Sequence, residues 1–281
     1  MTMRCLVNSL LLVLALHNGL LGLARPEGYV HIDCTLRPIV PKSERISHPH
    51  IPATPGKAIP KNQAVSTNWS GYVAANNLNN PAQNSVTSVS GSWIVPSVKS
   101  SNNNTYCAIW IGIDGYASST VEQLGTAHDC INGQVQHYAW IEMYPGGSYG
   151  INGFPVNPGD VISSSIVYSG NNVFTMQLNN DTQKVFFTVP TSYTTSASAL
   201  RNSAEWIVEA PYLNGILPLS NFVTAYLWGC NATINDALRA LSNTSWQSAS
   251  LEMITNNSLP KAIPSTILQD EGSFFVTWRH Q

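Results

Sequence analysis

Beyond residue 64, apolar and polar residues alternate at period two through much of the chain. In Phe174-Thr175-Met176-Gln177-Leu178-Asn179 the two kinds separate cleanly, and Lys184-Val185-Phe186-Phe187-Thr188-Val189 gives another such run before Pro190. Successive side chains of a strand point to opposite faces, so this period predicts strands with one face in a core. Further strands are predicted over Val86 to Val95, Tyr106 to Asp114, His137 to Tyr144, Val161 to Tyr168, Glu205 to Glu209, Thr224 to Trp228 and Phe274 to Trp278. Gly, Asn and Pro fill most of the intervals, as turns require. Asn235 to Leu241 is predicted as one short helical turn, and no long amphipathic helix competes with the strands. Many short strands without crossover helices predict an all-β, antiparallel sandwich or barrel.

The same period sorts the chemistry by face. In Tyr138-Ala139-Trp140-Ile141-Glu142-Met143-Tyr144, the residues Tyr138, Trp140, Glu142 and Tyr144 share one face and Ala139, Ile141 and Met143 the other. Trp110, Gly112 and Asp114 likewise lie opposite Ile111 and Ile113. A third strand puts Glu205, Ile207 and Glu209 on one side, with the two carboxylates roughly 13 Å apart along it. That span is too long for a glycosidase-type carboxylate pair, so a working partner for Glu205 must come from another segment.

Charge makes Glu205 conspicuous, since only 10% of the chain is charged and a carboxylate in a strand-like run displaces a better-packing apolar residue. A candidate partner is Gln123, in the turn-like, Gly-punctuated stretch Val121-Glu122-Gln123-Leu124-Gly125-Thr126. A carboxylate in a partly desolvated cleft can take a proton from water attacking a carbonyl. A nearby carboxamide NH2 can donate to the oxygen where negative charge develops. The plain alternative makes Gln123 a turn amide and Glu205 a solvated strand carboxylate.

The N-terminal region differs from the rest. Arg4 precedes the apolar run Leu10 to Leu16, and Gly22-Leu23-Ala24 supplies the small residues of a cleavage site, so residues 1–24 read as a secretory signal. No later stretch has eighteen consecutive apolar residues, so a soluble, extracellular product without stable membrane association is expected. Residues 25–64 carry Arg25, Arg37, Lys42, Arg45, Lys57 and Lys61 among several prolines, with His48 and His50 alongside. From Ala64 onward six Lys or Arg face twelve Asp or Glu, a formal charge of -6. A basic leader on an acidic body reads as a propeptide or linker, and as a propeptide it would lie across an acidic cleft until those carboxylates protonate. The acidic body has no basic stripe, which disfavours nucleic acid.

With these pieces assembled, the chain resembles the glutamic peptidases of the eqolisin type, peptidase family G1. The resemblance runs from roughly Thr67 to Gly229 through Asn68-Trp69-Ser70-Gly71-Tyr72, Gly91-Ser92-Trp93-Ile94-Val95-Pro96, Trp110-Ile111-Gly112-Ile113-Asp114-Gly115, Glu122-Gln123-Leu124-Gly125-Thr126, Ala139-Trp140-Ile141-Glu142-Met143-Tyr144-Pro145 and Ala204-Glu205-Trp206-Ile207-Val208-Glu209. It implies an all-β fold, a bent two-sheet antiparallel β-sandwich of concanavalin or jelly-roll type, over residues 65–281. It also implies a secreted, acid-acting endopeptidase, monomeric, without cofactor or metal, whose partners are polypeptide substrates and a possible intramolecular propeptide inhibitor. On this resemblance Gln123 and Glu205 are the catalytic dyad. Trp69, Trp110, Asp114, Tyr138, Trp140 and Glu142 line or support the cleft, and Glu209 is structural. The chain departs from the fungal pattern in one respect: an Asp expected soon after the glutamine is displaced to Asp129.

Without the signal's Cys5, four cysteines permit three complete pairings. The family pattern favours Cys107–Cys130, with Cys34 and Cys230 left open. Asn68, Asn103, Asn180, Asn231, Asn243 and Asn256 meet the glycosylation pattern. No zinc-helix motif, aspartic-peptidase signature or serine elbow is present. Two readings compete with the peptidase: a glycoside hydrolase using Glu142 and Glu205 beneath aromatic platforms, and a lectin-like binding domain in which no residue reacts.

Overall fold

A computed structural model describes residues 26–39, 46–53, 62–192, 197–270 and 272–281. The expected signal, residues 1–24, lies outside the described residues, as do Arg25, Lys42, Arg45, Lys57 and Lys61 of the leader. The strands are β1 (Val30–His31), β2 (Thr35–Pro38), β3 (Gln63–Ser66), β4 (Trp69–Ala75), β5 (Val86–Ile94), β6 (Ala108–Ile113), β7 (Val121–Ile131), β8 (Gln134–Tyr144) and β9 (Ser148–Asn152). They continue with β10 (Val161–Gly170), β11 (Val173–Asn180), β12 (Val185–Ser192), β13 (Ala204–Glu209), β14 (Thr224–Ile234), β15 (Ala237–Ala240), β16 (Gln247–Ile254), β17 (Pro260–Pro264) and β18 (Phe274–Trp278).

Pairing follows one continuous path. β9, β8, β7, β6, β13, β4 and β16 form one layer in that order, and β12, β11, β10, β5, β14 and β18 form the other. β17 pairs with both β16 and β18 and so carries the sheet from one layer to the other. This is the expected bent β-sandwich, antiparallel except for β1 on β12 and β3 on β16.

Alternation explains the layers. Ile109, Ile111, Leu124, Ile141, Trp206 and Val208 turn inward against Val89, Trp93, Ile162, Phe174, Met176 and Leu178 to make the main core. Burying each such side chain contributes roughly 1.5–3 kcal/mol, which fixes register because a one-residue slip would expose the whole set. The opposite face of the first layer carries a second apolar cluster containing Trp69, Val73, Ala108, Trp110, Val121, Trp140 and Ile207.

Two local expectations fail. Asn235 to Leu241 holds no helical turn: Asn235 and Asp236 take φ of 51° and 61°, and Ile234 pairs with Ala237 across a tight hairpin into β15. Two successive positive φ values suit such a turn, and Asn and Asp tolerate them better than other non-glycine residues. Gln123 likewise sits inside β7 rather than in a turn. That strand is buried on both faces over most of its length, so it lacks the alternation that marks a half-exposed strand.

Candidate active site

One row of residues crosses the first layer. Glu205 pairs with Val73 on one side and Gly112 on the other, Gly112 with Gln123, Gln123 with Glu142, and Glu142 with Ser148. Residues in direct register share a sheet face, so Glu205, Gln123 and Glu142 project together from it. Gly112 stands between Glu205 and Gln123 and adds no side chain. A Cβ there would come within 2.7 Å of the Trp110 ring. The glycine thus lets the Trp110 indole lie over the strand between the carboxylate and the carboxamide.

Both Glu205 and Gln123 are fully buried. Neither carboxylate oxygen of Glu205 has a hydrogen-bond partner among the described residues, and Oε1 of Gln123 has none either. Burial pushes the Glu205 carboxyl well above its usual range. The Asp114 charge adds to that, while Ser203 and the Tyr116 amide oppose it without meeting full hydrogen-bond geometry. A buried carboxyl without a hydrogen-bond partner is a candidate for chemistry.

Gln123 is oriented by its neighbours. Its Nε2 donates to Glu142 Oε2 at 2.8 Å and to the His48 carbonyl at 3.2 Å. Both are acceptors, so the amide nitrogen must face them. Glu142 is raised to about 7, chiefly by burial. Asp114 acts as a brace: its carboxylate accepts the backbone amides of Arg201 at 2.7 Å and Asn202 at 2.9 Å, tying the end of β6 to the approach to β13. This bracing sets the register that delivers Glu205.

The aromatic wall lies beside the row. Trp110 and Trp140 both pair with Gly125, and Trp69 meets Trp110 edge-on at 4.8 Å between centroids. Glu209, four residues beyond Glu205, is enclosed there. Its Oε2 accepts from Trp110 Nε1 at 2.7 Å and its Oε1 from Asn68 Nδ2 at 3.0 Å.

Residues 46–53 of the leader lie across this face, a contact the sequence did not mark beyond its charge. The Ile46 carbonyl accepts from Ser148 Oγ at 2.6 Å, and Ser47 exchanges backbone hydrogen bonds with Tyr212. The His48 amide donates to Glu142 Oε2 at 3.0 Å, its Nδ1 lies 2.9 Å from Glu209 Oε2, and its ring stacks on Trp140 at 3.9 Å. The Pro49 carbonyl accepts from Asn68 Nδ2 at 2.7 Å, and His50 stacks on Trp69. Ile51 and Ala53 then join the β3 edge by backbone hydrogen bonds. A cavity of about 460 Å³ opens beside Pro49 and His50, walled in part by Gly115, Val121 and Tyr144.

The match to known proteins fits this geometry. The Peptidase A4 family model matches residues 67–276, most of the chain and every strand of the site. The chain belongs to the Peptidase A4 family. Scytalido-glutamic peptidase bound to a transition-state analogue superposes with TM-score 0.63 at 21% identity, covering 76% of this chain and 98% of that one. SCP-B, an eqolisin crystallised with the tripeptide Ala-Ile-His, gives 0.61 at 20% identity over the same shares. Aspergilloglutamic peptidase from Aspergillus niger gives 0.56 at 21% identity, covering 62% of this chain and 99% of that one. No curated protein matches. As a member of the Peptidase A4 family the chain is a proteolytic enzyme, and it shares its fold with these glutamic peptidases.

Not every expected residue of this Peptidase A4 member joins the site. Tyr138 lies further along β8, donating to Asp129 Oδ2 at 2.9 Å. Asp129 is six residues beyond Gln123, roughly 20 Å along the strand, and does not reach the row. The Cys107–Cys130 bridge is not formed: both are free thiols. Thr105, not Cys107, stands opposite Cys130, whose sulfur contacts Ser101 instead. The diagonal offset exceeds disulfide reach. Asn68 and Asn180 are fully buried, so these two sequons cannot carry a glycan in this fold. Glu142 and Glu205 are three strands apart, roughly 14 Å between backbones with Gln123 between them, which does not suit paired glycosidase acids. Among the described residues no group of three or more His, Cys, Asp or Glu is arranged to hold a metal, and no helix is long and apolar enough to cross a membrane.

Proposed function

We propose that the chain is an acid-acting endopeptidase in which Glu205 is the general base and Gln123 the oxyanion donor. With a peptide in the cleft, ionised Glu205 takes a proton from water as the water oxygen attacks the scissile carbonyl carbon. The carbonyl oxygen gains the negative charge, and Gln123 Nε2 donates to it. Glu205 then returns the proton to the leaving nitrogen and the C–N bond breaks. No covalent intermediate forms. Glu142 fixes the carboxamide, Asp114 braces the strand of Glu205, and Trp69, Trp110 and Trp140 wall an extended peptide.

The observation that carries this reading is the donor of Gln123 aimed at a peptide carbonyl, that of His48, one glycine away from an unpartnered Glu205. The same contact supports residues 25–64 as a propeptide, since residues 46–53 fill the space a substrate backbone needs. Removing them opens this sheet face to water, and hydration of Glu205 would lower its proton affinity and let it act in acid.

The test is incubation of the purified protein at acidic pH with a denatured protein substrate, with pepstatin and an added amine nucleophile present. The expected result is cleavage that resists pepstatin and yields no amine-trapped acyl product. Trapped product would indicate a covalent intermediate, and absence of cleavage after the leader has gone would overturn the reading.

A further inference from the structure

Resting on that reading, we propose that Trp140 and Glu209 form the pocket for the substrate side chain on the amino side of the cut bond, and that this pocket selects histidine. Two hydrogen bonds fix the leader's backbone in the cleft. Gln123 Nε2 donates to the His48 carbonyl, and the His48 amide donates to Glu142 Oε2. The residue whose carbonyl faces the oxyanion donor is therefore His48, and the bond in the reacting position is His48–Pro49. Its side chain enters the space that a substrate's corresponding side chain must use.

The pocket is built for an imidazole. The Trp140 and His48 ring centroids lie 3.9 Å apart with planes 10° from parallel, so the indole accepts a flat ring. At the ring's edge Glu209 Oε2 lies 2.9 Å from Nδ1. That carboxylate is fully buried and belongs to the site without the leader, being held by Trp110 Nε1 and Asn68 Nδ2. The dyad does not use it, for it stands roughly 13 Å from Glu205 along β13. Phenylalanine would fill the stack and leave Glu209 facing an apolar edge. Lysine would meet the carboxylate and forfeit the stack. Glu209 Oε2 would keep its Trp110 donor and lose the imidazole contact, and a hydrogen bond lost at a buried carboxyl discriminates between side chains of similar size.

Two measurements test this. In the first, the acid-activated enzyme is given peptides that differ only in having His or Phe before the cleavage position, and product masses locate the cut. The expected kcat/KM ratio favours His by roughly 100-fold. In Glu209→Gln the ratio falls at least tenfold, because one amide oxygen must serve the Trp110, Asn68 and imidazole donors. A purely structural role for Glu209 would lower both rates together and leave the ratio unchanged, which overturns the proposal, as does an equal preference in the unaltered enzyme. The second needs no catalysis: amide exchange of residues 46–53 in the full chain quickens at least tenfold in His48→Phe. Unchanged exchange overturns the pocket. If no peptide is cut while exchange responds as expected, the catalytic reading fails and the imidazole pocket stands.

Discussion

Gly112 is the residue on which the site most depends without itself reacting. It separates Glu205 from Gln123 in register, and the Trp110 ring lies over it, held in turn by Glu209. Gly112→Ala should displace that ring, cost roughly 1–3 kcal/mol in thermal or denaturant unfolding, and lower kcat/KM at least tenfold. Full activity with unchanged stability would show that the indole yields freely. At this scale period two was a good guide within the strands: it put Trp140 with Glu142 and Glu205 with Glu209, and each pair shares its face, whereas Asp114 falls just past β6 with φ of 71°. Burial stayed open, since a lone Glu in a strand reads equally as a solvated group or as one in a partly desolvated cleft, and the structure buries it fully. The contacts of His48, His50 and Asn68 were not legible, because they join segments remote in sequence through no periodic pattern.

Among the elements, half-exposed strands such as β11 and β12 were legible from alternation, whereas β7 was not, being buried on both faces and interrupted by Gly125. The leader was marked by charge alone, and charge does not specify which peptide bond lies in the cleft. At His48–Pro49 the proline ring fixes the backbone on the departing side, which should make that bond a poor substrate. Pro49→Ala should therefore convert the leader into a substrate, with self-cleavage between residues 48 and 49 in acid, read by mass spectrometry. Adding Glu205→Gln should abolish that cut. Persistence of the intact bond in Pro49→Ala would place the reacting position elsewhere.

For the whole molecule, buried acids and histidines oppose each other. Asp114, Asp129, Glu142, Glu205 and Glu209 are all raised, chiefly by burial, with Asp129 and Glu142 reaching about 7. His48, His50, His128 and His137 are all lowered by burial, His48 and His50 to about 4. A raised carboxyl binds its proton more tightly in the folded chain, so its contribution is full in acid and is lost as pH climbs through its folded value. A lowered histidine contributes fully above its ordinary 6.5 and loses that contribution as pH falls toward its folded value. Between about 4.5 and 6.5 the two sets offset each other, and above about 7 only the carboxyls' loss remains. The melting temperature should therefore be highest in that acidic window and fall as pH rises from 7 to 8, as calorimetry would detect. A rise over that interval would contradict the assignments. The sandwich was within reach of the sequence, while the pairing order of its strands and the placing of residues 46–53 over the site were properties of the assembled fold. The most direct test of the central claim is kcat/KM for a peptide substrate in leader-free Glu205→Gln, with folding verified by its melting temperature. The account predicts a loss of at least a thousandfold, and a folded variant cleaving within tenfold of the unaltered enzyme would contradict it.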